Sequence, residues 1–443
     1  MQDIEEVERK RLVGRAELVA VGAAVVLVAA AFIVPRIAGE QWRDSLYAAA
    51  APIFGMWSPH VGWGTVPAIA LAAAVVLYGP DLAARLSWRR LLVGGYLAAL
   101  GWAMSLALVD GWRRGFSERF TDPNEYLKEV PGVTDIPAVL RGFADRILDF
   151  QPDSWTTHVS GHPPGALLFF VLLDRIGLGG TTWAAWACVL IGCTVAPAVA
   201  VTLDALGARE HARAALPFLV LMPAALWIAV SADAVFAAVA AWAVAALAVA
   251  AKRGSATLAV VAGILFGLAL FLNYGLVLMG LPAVAVLLAA RTAKPLLPAL
   301  AGAVAVVAVF AAAGFWWLDG YHLVVERYYQ GVAATRPYGY WWWGNLAATV
   351  CAIGLATVAA LTRVPARLRA ADPTAILVTA ALCAILLADA SGLSKAETER
   401  IWLPFDVWLF AATAFLPRPA VWIWLVAQAA GTLLLVHLLL TNW

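Results

Sequence analysis

The sequence predicts an all-α polytopic membrane protein of about thirteen transmembrane helices, with interfacial helices in one large external loop. Three observations carry this. Of 443 residues, 63% are hydrophobic and only 13% charged, and mean hydropathy is +0.84; soluble chains run near about 45–50% and about 25%. The apolar residues fall into runs close to the ~20 residues that cross a bilayer. The charges collect between those runs. This composition excludes a soluble enzyme, a disordered chain and a nucleic-acid binder, because so much apolar surface needs the bilayer as its solvent. A net charge of +2 supplies no bulk field for a charged partner.

The runs predict spans at 16–34, 62–79, 91–109, 183–203, 214–230, 234–251, 257–273, 275–290, 296–317, 345–362, 373–389, 401–416 and 420–439. Met1 to Arg15 carries both signs of charge, and the first apolar run lacks a small-x-small cleavage site, so a retained span is expected rather than a signal peptide. Most of the 30 Lys and Arg residues fall on one set of loops, including Arg11, Arg89, Arg90, Arg213, Lys252, Arg291, Arg363, Arg367 and Arg418. Positive charge marks the cytoplasmic side. The N-terminus is therefore expected inside, and the C-terminus outside a plasma membrane. Cys188, Cys193, Cys351 and Cys383 lie in apolar runs and read as small core residues.

On this topology the unusual residues face outward. Residues 110–182 form a long, acid-rich external segment, and long loops of this kind are usually functional. Within it, 116–130 and 136–150 have apolar residues at helical spacing and read as two amphipathic interfacial helices. His158-Val159-Ser160-Gly161-His162-Pro163-Pro164-Gly165 follows, then a short apolar helix from Ala166 to Leu173. A second external stretch, 318–344, is rich in Trp and Tyr, and a third, 389–400, is dense in charge.

Asp122-Pro123-Asn124-Glu125-Tyr126, then His162-Pro163-Pro164 and a short apolar helix, resemble the first external loop of GT-C-type glycosyltransferases. The likeness is to the protein O-mannosyltransferase-like branch and its actinobacterial relatives. Ser231-Ala232-Asp233 after an apolar stretch with Pro223, and Lys395-Ala396-Glu397-Thr398-Glu399-Arg400-Ile401-Trp402, resemble further family motifs. Two helices precede the family-like first span, Asp122 and Glu125 replace an adjacent acidic pair, and Gly165 replaces a Leu. The resemblance divides the chain into an N-terminal segment with two additional helices (1–90), a GT-C-like module (91–290) and variable C-terminal helices (291–443). It implies transfer of one sugar, mannose or arabinose, from a polyprenyl-phosphate donor to a hydroxyl of an extracytoplasmic envelope glycan, glycolipid or protein, with inversion. No other cofactor is implied.

Such transfer needs a base for the acceptor proton, stabilisation of an oxocarbenium-like centre and groups that hold the departing phosphate. Asp110, Asp122 and Glu125 are the candidate bases. Asp122 equally suits a helix cap, with Pro123 at the first position and Glu125 as capping-box partner. His158 and His162 are candidates for donor or acceptor binding, with Tyr126 beside them. They lack a third ligand at short spacing, so no metal site is assigned. Arg400 suits phosphate through its bidentate fork, with Lys395 and Glu399 nearby; Asp233 suits a wall of the site or a helix cap. Most of the aromatic stretch reads as an interfacial belt, with Arg336 and Tyr338 as candidate ligand contacts. The rival reading is a lipid-linked-sugar flippase or secondary transporter, for which inverted repeats and mid-membrane charges are the usual marks.

Overall fold

Runs of Ala, Val and Leu without interior charge have one economical form in a bilayer, the helix, which pairs its own backbone groups. The computed structural model, which describes residues 12–442, is almost wholly helical. Among the described residues, eight helices are long and apolar enough to span a membrane, and a ninth forms if one bent pair counts as a single span. The protein is thus an all-α polytopic membrane protein.

The principal helices are α1 (Arg15–Ile37), α2 (Thr65–Arg85), α3 (Trp88–Ala107), α4 (Pro164–Arg175), α5 (Thr181–Gly192), α6 (Val195–Ala205), α7 (Arg209–Val220), α8 (Ala225–Ile228), α9 (Ala232–Arg253), α10 (Ala256–Leu272), α11 (Gly280–Ala289), α12 (Leu296–Ala312), α13 (Trp317–Gln330), α14 (Tyr338–Leu361), α15 (Pro373–Ala390), α16 (Thr398–Ile401), α17 (Leu403–Leu409) and α18 (Val421–Leu438). Each of the thirteen apolar runs is helical, but several are broken. The run at 214–230 becomes α7 and α8, separated at Met222-Pro223, where no continuous helix forms. The run at 275–290 opens in a 3₁₀ turn before α11. α12 and α13 meet at 74°.

α9 is the hub. It packs against α5, α6, α10 and α17, and its Ala-rich faces are buried along most of its length. Small side chains let helix backbones approach where the bilayer supplies no hydrophobic drive. Asp372 starts α15 by accepting from the backbone N–H groups of Thr374 (2.8 Å) and Ala375 (3.3 Å). Gly254 ends α9 in the left-handed region, φ 63°.

Contacts between loops sort into two ends of the bundle. At one end Arg363 Nε donates to Glu17 Oε1 (2.7 Å), Arg213 to the Leu86 carbonyl (3.1 Å) and Lys252 to the Asp204 carbonyl (3.1 Å). His211 meets Thr374 (2.8 Å) there, and Arg367 lies over the Phe415 ring. At the other end His60 meets Asp110, Phe54 N donates to Glu399, and Asp149 N donates to Gln330. A two-stranded antiparallel ribbon joins β1 (Gly55–Trp57) to β2 (Leu439–Thr441), so the segment after α1 and the segment after α18 lie together.

The long loop differs from the sequence expectation. The two amphipathic helices predicted at 116–130 and 136–150 do not form. The first is a chain of short π and 3₁₀ turns, and the second is cut to Ile136–Gly142 plus one 3₁₀ turn. Pro123 and Pro131 interrupt the backbone pattern that helical spacing of side chains suggests. The short apolar helix is present as α4, longer than expected at both ends.

Candidate functional site

The polar groups of the long loop fold onto the same end as those of 389–400. Asp122 Oδ1 accepts from both the backbone N–H (2.8 Å) and the side-chain amide (2.9 Å) of Asn124. It is an exposed turn-former, and no helix with a capping box starts there. The turn is locked to the histidine segment, since His158 N donates to the Asn124 carbonyl (3.1 Å) and Thr157 to the Asn124 side chain (3.0 Å).

That lock buries Glu125, which is 4% exposed. Its Oε2 lies 3.2 Å from His158 Nδ1, off the line of a hydrogen bond. Tyr126, also buried, meets His162 Nδ1 at 2.9 Å through its hydroxyl and stacks on Phe170 at 5.1 Å. His162 Nδ1 is also 2.8 Å from the His158 carbonyl, and its ring leans on Phe236 of α9. Burial lowers the His162 pKa to about 4, against the pull of nearby Asp233, so the ring is neutral at pH 7. Burial, with Asp233 and Glu125 close by, raises the Tyr126 phenol well above its ordinary value.

Asp233, at the start of α9, faces Arg400. The Arg400 Nη1 donates to Asp233 Oδ2 at 2.6 Å, and its Nη2 donates to Glu397 Oε2 at 2.6 Å. Arg336 lies 3.6 Å from the other Glu397 oxygen. Burial would raise the Glu397 pKa, but Arg400 and Arg336 hold it below its ordinary value. Burial would likewise lower that of Arg400, yet the two carboxylates raise it. Ala396 and Glu397 both have positive φ, 72° and 62°, a conformation that costs side-chain-bearing residues free energy and clusters at functional sites. The buried Asn345 braces this loop through Asp389 (2.9 Å), the Ser394 carbonyl (2.7 Å) and Ala396 N (3.2 Å).

Glu125, Tyr126, His158, His162, Asp233 and Arg400, all singled out in the sequence, therefore form one connected polar cluster between the loop and α9. The remaining candidates hold the segments around this cluster. Arg336 donates to the carbonyls of Leu46 (3.1 Å), Lys395 (2.7 Å) and Tyr47 (3.3 Å), tying three segments together. Lys395 donates to the Ala333 carbonyl (2.9 Å), and Tyr338 to the Asp389 carbonyl (3.1 Å). Glu399 is fully buried; Phe54 N donates to its Oε1 at 2.8 Å, and Oε2 has no partner. Burial raises its pKa to about 7.

Asp110 belongs to a second, adjoining cluster. Its Oδ1 is 2.8 Å from His60 Nε2, and His60 Nδ1 is 2.6 Å from the Ser58 carbonyl. Both ring nitrogens of His60 thus face oxygens. Arg119 lies between the clusters, within electrostatic reach of Asp110 and Glu125, and burial lowers its pKa to about 10. Sequence reasoning missed His60, Arg119 and the pairing role of Glu397. His60 in a Pro- and Gly-rich loop and Arg119 in a charged loop carry no local signal; only the tertiary fold brings them in. No protein-family model matches the chain, and no curated protein matches it.

Proposed function

We propose that this protein is a membrane glycosyltransferase of GT-C type. It moves one sugar, mannose or arabinose, from a polyprenyl-phosphate donor to a hydroxyl of an extracytoplasmic acceptor of the cell envelope. The observation that carries the reading is the Glu125–His158 contact: a buried carboxylate 3.2 Å from an imidazole, at the loop end of an otherwise apolar bundle. Charged groups at such depth are expensive and usually purposeful.

In the reaction, the acceptor oxygen attacks the anomeric carbon as the bond from that carbon to the phosphate oxygen breaks. Glu125 takes the hydroxyl proton. His158, 3.2 Å away, flanks the carboxylate. The polyprenyl phosphate leaves with the electron pair of the broken bond, and a single displacement inverts the centre. The neutral His162 and the Tyr126 hydroxyl offer hydrogen bonds to sugar hydroxyls without adding charge. Asp233 and Arg400 neutralise each other, so Arg400 serves this site as a wall rather than as the phosphate cation.

Purified protein in nanodiscs, given labelled polyprenyl-phosphate mannose or arabinose with envelope acceptors, tests this. Wild type transfers label, and Glu125→Gln lowers turnover by about 10²–10⁴-fold, the usual worth of a general base; an unchanged Glu125→Gln rate rules the residue out. One observation favours the rival lipid-linked-sugar flippase or transporter. Asp406, on α17, is fully buried and neither of its oxygens has a partner, as in proton-coupled carriers. Movement of intact donor across the bilayer, without transfer, selects that reading.

A further inference from the structure

A cavity of about 430 Å³ lies between α1, α14 and α18. Val28, Phe32, Val350, Gly431 and Leu435 form its walls, and Pro52, from the segment before β1, closes one end. No charged residue lines it. It lies on helices outside the 91–290 stretch. Leu439, the first residue of β2, is part of this wall. It is also part of the wall of a second, water-sized void lined by Asp110, Arg119 and Thr441. One residue thus separates an apolar cavity from a charged one.

Two guanidiniums converge just beyond it. Arg114 Nη2 (3.2 Å) and Arg119 Nη1 (3.4 Å) both donate to the Thr441 carbonyl, and Arg119 Nη2 also reaches the Thr441 hydroxyl (3.4 Å). Arg119 Nε is sealed from solvent without a partner. A single neutral carbonyl is a poor match for two cations. Asp110, the carboxylate that acts most strongly on Arg119, is shared with His60.

We propose that this is the binding site of a single-chain lipid phosphate monoester. Its isoprenoid or acyl chain lies in the cavity past Leu439, and its phosphate lies against Arg114 and Arg119. Two guanidinium forks match the nearly double charge of a monoester, whereas the phosphodiester of an ordinary phospholipid carries one. A cavity of this size falls within the range of small-ligand sites, and the rest of a long chain stays in the bilayer. The site deepens the transfer reading by naming residues for the spent carrier, the polyprenyl phosphate that leaves, and it rests on that reading only for which lipid supplies the phosphate.

The test uses the full-length protein in phosphatidylcholine nanodiscs and an isoprenoid monophosphate with a photoreactive group on its chain. Cross-linked peptides are read by mass spectrometry. Labels are expected in residues 25–33 and 427–438. Gly431→Phe points into open space, since an added Cβ meets nothing within 4 Å, and is expected to cut labelling about fivefold. Arg114→Gln with Arg119→Gln is expected to cut it about tenfold while labelling by the matching isoprenoid alcohol stays within about twofold. Gly431→Leu and Arg119→Lys replace these variants if melting shows that they misfold. Unlabelled isoprenoid and acyl monophosphates compete; if only one of them does, it is the source. Equal competition by phosphatidylglycerol overturns the monoester assignment, and labelling indifferent to both sets of variants overturns the site. No turnover is measured, so binding without transfer and transfer without this site are distinguishable results.

Discussion

Arg400 and Asp233 form a buried ion pair, Nη1 to Oδ2 at 2.6 Å, that joins α16 to the start of α9. Glu397 occupies the other arm of the guanidinium. Removing one partner leaves an uncompensated buried charge, which costs about 3–5 kcal/mol, whereas replacing both with apolar groups is often neutral. Asp233→Leu alone and Arg400→Met alone should each lower the melting temperature in detergent markedly. The effect of Asp233→Leu should be the milder, because Arg400 keeps Glu397 at 2.6 Å, whereas Arg400→Met strips Asp233 of the guanidinium that pairs with it. The Asp233→Leu, Arg400→Met double variant should recover part of the loss of Arg400→Met; a purely additive double variant would show that the two residues do not act as a pair.

Glu399 and His162 set two opposed pH dependences. The folded pKa of Glu399, about 7, lies above its ordinary 4.5. Its protonated form is therefore favoured by folding, and that stability is full below about 4.5 and lost as pH rises through about 7. The folded pKa of His162, about 4, lies below its ordinary 6.5. Its neutral form is favoured by folding, and that stability is present above 6.5 and lost as pH falls through about 4. Each is worth roughly 3 kcal/mol at most, and the windows overlap, so wild type should show a shallow profile between pH 4.5 and 6.5. Glu399→Gln should expose a melting temperature that climbs with pH in that window. His162→Asn should expose one that falls. Melting curves on both variants check the signs, and identical profiles for the two would contradict both assignments.

The sequence-legible part of the fold is the apolar part. Runs such as 234–251 and 373–389 survive almost unchanged as α9 and α15, because composition alone decides helix formation where the backbone has no water to bond. The loop 116–130 was not legible in this way. Phe116, Phe120, Tyr126 and Val130 are buried as expected of an amphipathic face, but they reach the core from irregular turns that prolines and the Asp122 turn impose. The cluster of Glu125, His158, Asp233 and Arg400 could be read because polar residues are scarce in this chain, so each one stands out. His60 and Arg119 could not, since a charge in a loop looks the same whether it faces water or a buried carboxylate.

Close backbone contact between α10 and α12 depends on three glycines, Gly263, Gly267 and Gly302. A Cβ on Gly263 would overlap the Ala299 carbonyl, and one on Gly302 would overlap the Val260 carbonyl. The helices therefore cross at small-residue distance, with dispersion as the attraction. Gly263→Leu should force them apart at a cost of about 1–3 kcal/mol, typical of overpacking, and lower the melting temperature. Gly280→Leu, where an added Cβ meets nothing within 4 Å, is the matched control and should change it little.

The β1–β2 ribbon makes a prediction about topology that does not depend on charge. Gly55 pairs with Thr441, and Trp57 with Leu439, so the segment after the first helix and the segment after the last share one side. The Glu17–Arg363 contact puts the start of α1 with the end of α14 on the opposite side. A chain that crosses between these two sides must do so an odd number of times. By the positive-inside rule, the excess of Arg and Lys at the Glu17–Arg363 end predicts a cytoplasmic location for that side. A reporter fused after Trp443 should therefore read extracytoplasmic, and one inserted in the loop between α11 and α12, near Lys294, should read cytoplasmic. Opposite readings from both would invert the orientation while leaving the ribbon intact; a reporter between α1 and α2 that reads on the other side from the one after Trp443 would break the pairing that the ribbon requires.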